Sequence, residues 1–186
     1  MIGFAMCGSF CTIRRALAEL KGLTERYQVQ GIVSEAVYGT DTRFASAKAV
    51  LEEMERLTGR GLIHDIVGAE PLGPKSPLEA LVICPCTGNT LAKMANGITD
   101  SGVTMAAKAH LRSNRPLVIA LASNDALSAN LKNIGEMLTR KNVYFVPMKQ
   151  DDPEQKPHSL VADFTLLPQT LEAALQVKQH QRLFQI

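Results

Sequence analysis

The residues best suited to chemistry lie in one stretch, CPCTGNTLAKMANGITDS at 84–101, where an apolar run meets a proline, two thiols and the turn Thr87-Gly88-Asn89-Thr90. A small-residue helical pattern follows, with Leu91, Met94, Ala95 and Ile98 on one face. Two hydroxyls, an amide and a permissive glycine at a helix start can receive an anion, because a helix start carries unpaired N–H groups and glycine lets a ligand approach the backbone. The same residues fit an elaborate N-cap, although a cap needs one oxygen where this turn supplies several. Gly8-Ser9-Phe10 has a similar double reading, as donors to a phosphate or as a tight turn with a serine cap, and Ser34 shares it.

Other reactive side chains are sparser. His64, in LIHDIV, is the candidate catalytic residue by position, and equally a hydrogen-bonded structural or surface histidine. Cys7, Cys11, Cys84 and Cys86 are expected to be reduced, and C-x3-C with a distant C-x-C is not a zinc-finger spacing, so no metal site is expected. Cys84 and Cys86 can face a ligand or be buried inert thiols. The polar stretch QDDPEQKPHS (150–159) reads as a lid or partner-contact loop, in which Lys149 just before it, Lys156 and His158 offer donors, or as a solvated connection. Lys108, Arg112 and Arg115 read as a solvated helix end.

Elements that could bring these residues together recur along the chain. Runs of β-forming residues at 2–6, 29–33, 81–84, 117–121 and 143–146 alternate with helical patterns at 12–26, 45–57 and 125–140, and Pro168 can open a last helix. This alternation predicts a single doubly wound α/β domain over 1–186 with a mainly parallel sheet, and ligands of such sheets bind beyond the carboxyl ends of the strands. Gly8, Ser34 and the 84–90 turn then wall one pocket, with Asn124 at its rim. The stretches 69–77 and 149–159, rich in proline and charge, read as loops.

Composition narrows the partners. Twenty Lys and Arg against 18 Asp and Glu give a net charge of +2, which offers no global field for nucleic acid or an anionic membrane. No apolar run approaches the roughly 20 residues that span a bilayer, and the N-terminus lacks a signal-peptide pattern, so a cytoplasmic protein is expected. Glycines spaced as G-x-G-x-x-G and the lysine of a P-loop are both lacking, which leaves no dinucleotide fingerprint. Hydrophobic residues make up 46% and charged residues 20%, enough apolar character for a self-association face.

The stretch at 84–101 resembles the P-A-S-A-N-T…A-K-I-A-N-G…D-N motif of the flavin-binding cysteine decarboxylase superfamily, a Rossmann-like flavoprotein fold. Gly8-Ser9, Ser34 and Asn124 stand in the matching order. The resemblance implies FMN, with Gly8, Ser9 and Ser34 near its phosphate or ribityl chain and Thr87, Asn89 and Thr90 bordering the phosphate or flavin edge. It also implies trimers or higher homo-oligomers. Departures are clear: the chain has no tryptophan, only Asn124 survives of the family's P-x-M-N-x-x-M-W motif, and no cysteine lies beyond Cys86. Cysteinyl decarboxylation is therefore not expected.

Within the superfamily the chain resembles the B-subunit family of dipicolinate synthase from endospore-forming bacteria. That match is carried by TRF (42–44), AEPLGPKSPL (69–78), TGN (87–89), MAAKA (105–109), NRP (114–116), NDAL (124–127), QDDPEQKPHSLVA (150–162) and LLPQTLEAAL (166–175). It implies one component of a two-part oxidoreductase that makes a pyridine dicarboxylate from its dihydro form in the mother cell during sporulation. NADP and the nucleotide-binding fold are then expected on the A-type component of that dipicolinate synthase. A stand-alone FMN-dependent decarboxylase and a non-catalytic partner that keeps the fold are the alternatives.

Overall fold

A computed structural model describes residues 1–73, 75 and 78–185. Its elements run β1 (Ile2–Met6), α1 (Ile13–Thr24), β2 (Val29–Val33), α2 (Glu35–Gly39), α3 (Ala47–Thr58), α4 (Ile66–Ala69), β3 (Ala80–Thr87), α5 (Gly88–Ala95), α6 (Gly102–Leu111), β4 (Leu117–Ser123), α7 (Leu131–Leu138), β5 (Val143–Phe145), β6 (Met148–Lys149), β7 (Leu160–Ala162) and α8 (Leu167–Leu175). The chain forms a single α/β domain with a mostly parallel sheet.

Strands β2, β1, β3, β4 and β5 lie side by side and parallel. Side chains alternate between the sheet's two faces as the pleat requires. Ile2, Phe4 and Met6 of β1, with Val82 and Cys84 of β3, join one core with α1, α3 and α8. Ala5, Leu81, Ile83 and Cys86 join a second core with α5, α6 and α7. Both faces are thus covered, which explains why these strands read as continuous apolar runs.

The outer edge of β4 is shared. Its first half pairs with β5 (Leu117↔Val143 to Ile119↔Phe145), and its last residues pair antiparallel with β7 (Ala122↔Val161, Ser123↔Leu160). Antiparallel β6 completes that side, and Ile63 forms a one-residue parallel bridge to Ile32 outside β2. Neither β6 nor β7 was expected, since two or three residues are too few for a periodic signal.

Two expectations change. The helix expected over 125–140 begins only at Leu131, because Asp125 accepts hydrogen bonds from Ser123 and Asn130 and holds 124–130 in turns. The loop expected over 69–77 begins as helix, with Ala69 closing α4 and a 3-10 turn at Glu70–Leu72; Pro74, Ser76 and Pro77 lie outside the described residues. Among the described residues no helix is long and apolar enough to cross a membrane.

His110 of α6 is fully buried, with Nε2 2.9 Å from the Pro116 carbonyl and no partner for Nδ1 among the described residues. Burial pushes its pKa below the ordinary histidine value, so the fold favours the neutral ring. A lowered folded pKa gives stability that is complete above the unfolded value of about 6.5 and is lost as pH falls from there through the folded value. The melting temperature should therefore fall between about pH 7.5 and about pH 5.5, and His110→Gln should fall less over the same range. Parallel pH dependence in both proteins would show that His110 does not carry the effect.

Candidate functional site

Strand order reverses between β1 and β3, and the crevice at that point opens beyond their carboxyl ends. The Cys7 N–H donates to the Pro85 carbonyl at 3.1 Å and the Ser34 N–H to the Met6 carbonyl at 3.0 Å. The Thr90 hydroxyl lies 3.4 Å from Cys7 Sγ. These contacts bring the Gly8, Ser34 and Thr87–Thr90 junctions to one end of the sheet.

Several hydroxyls there already have structural partners. Thr87 is the N-cap of α5, its Oγ1 accepting from the Thr90 N–H at 3.2 Å while its hydroxyl donates to Thr90 Oγ1 at 3.1 Å. Ser34 caps α2 by accepting from the Val37 N–H at 3.4 Å, which leaves its own hydroxyl proton free. Ser9 precedes the 3-10 turn Phe10–Thr12, and the Thr12 hydroxyl donates to its carbonyl at 2.8 Å. Asn89 and Asn124 differ from these. Both are exposed, and neither side chain has a hydrogen-bond partner among the described residues.

The two glycines serve space, not φ. A Cβ on Gly8 would sit 3.1 Å from Ala36 Cβ and 3.3 Å from the Phe10 ring, so the first two junctions touch through it. Gly88 faces the carboxyl end of β4. A Cβ there would lie 2.3 Å from Ser123 Oγ, 2.7 Å from Asn130 Nδ2 and 2.9 Å from Asp125 Oδ1. It therefore makes room for a polar cluster behind α5, in which Asn130 donates to both Asp125 oxygens at 2.9 Å and Asn133 donates to Asn130 Oδ1 at 2.8 Å. The Ser123 hydroxyl bond holds the Asp125 carboxyl below its usual range, with Asn130 adding to it. Sequence reasoning passed over Asp125, although its place directly after Asn124 in NDAL was the available signal.

The thiols beneath the crevice are protonated. Burial pushes Cys7 up to about 11, and Cys84 and Cys86 are raised well above the ordinary thiol value by the same desolvation. Cys84 and Cys86 are core residues on opposite faces of β3, while Cys11 is exposed. His64 follows Ile63, which bonds to Gly31 and Val33 of β2, and its ring stacks on Tyr38 at 4.0 Å between centroids. Residues 150–159 share this end of the sheet, since the Leu127 N–H donates to the His158 carbonyl at 2.9 Å. Lys156 is paired with Asp151 at 2.9 Å. Arg115, read as part of a solvated helix end, instead donates to the Leu78 carbonyl at 2.7 Å.

The arrangement therefore offers helix starts, a free amide and a spare hydroxyl over an apolar thiol floor. None of the three thiols of that floor, Cys7, Cys84 and Cys86, has a lowered pKa.

Comparison with known proteins agrees with this architecture. The family model described as Flavoprotein matches residues 1–164. The B subunit of dipicolinate synthase from Bacillus subtilis (strain 168) is 46% identical over 183 residues, 98% of this chain and 90% of the relative. The crystal structure of the dipicolinate synthase B subunit from Bacillus halodurans superposes with a TM-score of 0.91 at 41% identity, covering 100% of this chain and 95% of that one. The FMN-dependent cysteine decarboxylase SpaF, 23% identical with a TM-score of 0.67 over 95% of each chain, shares the fold. The chain belongs to the Flavoprotein family.

Proposed function

We propose that this chain is the B-type component of a dipicolinate synthase, which holds FMN in the β1/β3 crevice and supports oxidation of dihydrodipicolinate to dipicolinate. The observation that carries the reading is the 46% identity to a dipicolinate synthase B subunit over 98% of the chain. What supports a phosphate there is that helix starts meet at this end of the sheet and that Asn89 and the Ser34 hydroxyl have donors to spare. Gly8, Ser9 and Phe10 form the wall on the β1 side, Thr87 and Thr90 the wall on the β3 side, and Asn124 the rim. FMN supplies a two-electron acceptor. Removal of two hydrogens from the dihydropyridine also needs a proton acceptor, and His64 is the group proposed for it.

The same proposal puts NADP on a nucleotide-binding A-type component, and the lack of a dinucleotide fingerprint in this chain agrees with that division. Homo-oligomers of trimeric or higher order and a place in the mother-cell cytoplasm belong to the same proposal. A second reading has its own support. Thr87 is committed to capping α5 through Thr90, and burial raises the Cys7 thiol, which suits a partner that stabilises the A-type component without taking part in chemistry.

Dihydrodipicolinate oxidation by each component alone and by both together separates the readings. Activity only in the mixture, with flavin absorbance in the purified B-type chain, is the expected result. A colourless chain that still raises the activity of the A-type component would establish the supporting role instead. Asn89→Leu should weaken flavin binding by about tenfold or more, equivalent to about 1.4 kcal/mol, with an unchanged melting temperature. Full flavin content in that variant would remove Asn89 from the site.

A further inference from the structure

At the far end of α5 from Asn89, about 9 Å along the helix axis, lies a cleft of about 340 Å³ between α5 and α6. Met94, Ala107 and Leu111 form its floor and Ile98 its outer wall. Met94 is 6% exposed and Ala107 2%, so the floor belongs to the core, whereas Ile98 is 47% exposed at the rim.

The charges around this cleft are unevenly paired. Arg140 closes one end, but its guanidinium is spent on the Met94 and Ala95 carbonyls at 3.1 and 2.7 Å and on Glu136 at 3.2 Å. Lys93 nearby is bonded to Asp100 at 2.9 Å. That leaves Lys108 in the last turn of α6 and Arg112 at its C-cap, four residues apart, with no carboxylate partner among the described residues. Like charges at this spacing repel. The α6 carboxyl end partly offsets them through its dipole, yet it would do so equally over a flat surface. A concave apolar floor beneath two unpaired cations is the additional feature.

We infer that this cleft is a second ligand site, which takes a small organic anion with a compact apolar body and one or two carboxylates. Its volume falls in the range of small-molecule sites, about 300–1,000 Å³, and an apolar lining with a few directed polar groups is their usual composition. The apolar body rests on Met94 and Ala107, and the carboxylates meet Lys108 and Arg112, with the Thr99 hydroxyl beside them. The site is independent of flavin binding in the β1/β3 crevice.

Titration with benzene-1,3-dicarboxylate, followed through a ¹³C-methyl label on methionine, tests it, because Met94 reports from the cleft floor. The expected result is a saturable shift of the Met94 signal, assigned with Met94→Leu. Lys108→Gln/Arg112→Gln should weaken this binding about tenfold or more. Asn89→Leu should leave the titration unchanged even if it empties the flavin crevice. The inference is overturned if the Met94 signal does not move, if uncharged benzamide moves it equally, or if the paired Gln variant binds as wild type. It is equally overturned if Asn89→Leu abolishes the shift, which would assign the dicarboxylate to the crevice. A change of oligomeric state in the paired Gln variant by sedimentation would overturn it too, by assigning the cleft to a contact between copies.

Discussion

Gly88→Val should destabilise the protein by about 3 kcal/mol and lower its flavin content, because no side chain fits between α5 and the end of β4. Three polar atoms lie within 2.9 Å of where its Cβ would stand. A lone serine hydroxyl could rotate aside, but Asp125 is bonded to Asn130, which in turn accepts from Asn133. Relief must come from breaking that network or from moving the first turn of α5, and that turn carries Thr87, Asn89 and Thr90. Stability and cofactor retention should therefore fall together, with Gly88→Ala affected in the same direction and less. Denaturant midpoints and flavin absorbance measure the two. A Gly88→Val protein with a wild-type midpoint would refute the packing argument outright.

Asp125→Ala should cost about 2 kcal/mol near neutral pH, since it leaves buried Ser123 and Asn130 without their charged acceptor. The sign of its pH dependence follows from the depressed carboxyl. A folded pKa below the ordinary 3.8 gives stability that is present above 3.8 and lost as pH falls through the folded value. The gap between wild type and Asp125→Ala should thus be full at neutral pH and narrow in acid. A gap that stays constant down to about pH 3 would mean that the cavity left by the side chain, and not the carboxylate, sets the cost.

Much of this architecture is legible in residue order. The five central strands are apolar because both faces of the sheet are covered, and that burial wrote runs such as Leu81–Cys84 into the sequence plainly enough to place them. The junctions at Gly8, Ser34 and Thr87 follow from strand ends, and hydrogen bonds link their neighbourhoods at one end of the sheet. What each hydroxyl does there was not legible. A cap and a ligand donor call for the same residue type at the same helix position, so Thr87 and Ser34 read identically in either role until Thr90 and Val37 are seen to hold them. Gly88 shows the same limit, since a glycine after a strand signals close approach without naming what approaches. Asp125 was obscured by its helical-looking context, in which Leu127, Leu131 and Ile134 continue a period that its own hydrogen bonds interrupt.

The bridges at the two margins of the sheet have a consequence for how copies of this chain can meet. Outside β2, Ile63 takes the Gly31 carbonyl and the Val33 N–H; outside β6, Leu183 and Gln185 take the N–H and carbonyl of Met148. Each margin is thus closed by a short piece of the chain's own backbone, and little free ladder remains for a foreign strand to extend. Templated strand addition, the route to fibrils and to edge-to-edge dimers, is hindered where these bridges sit. The bridges favour assembly through side chains meeting across helix and loop surfaces, where substitutions can tune it residue by residue without touching the sheet.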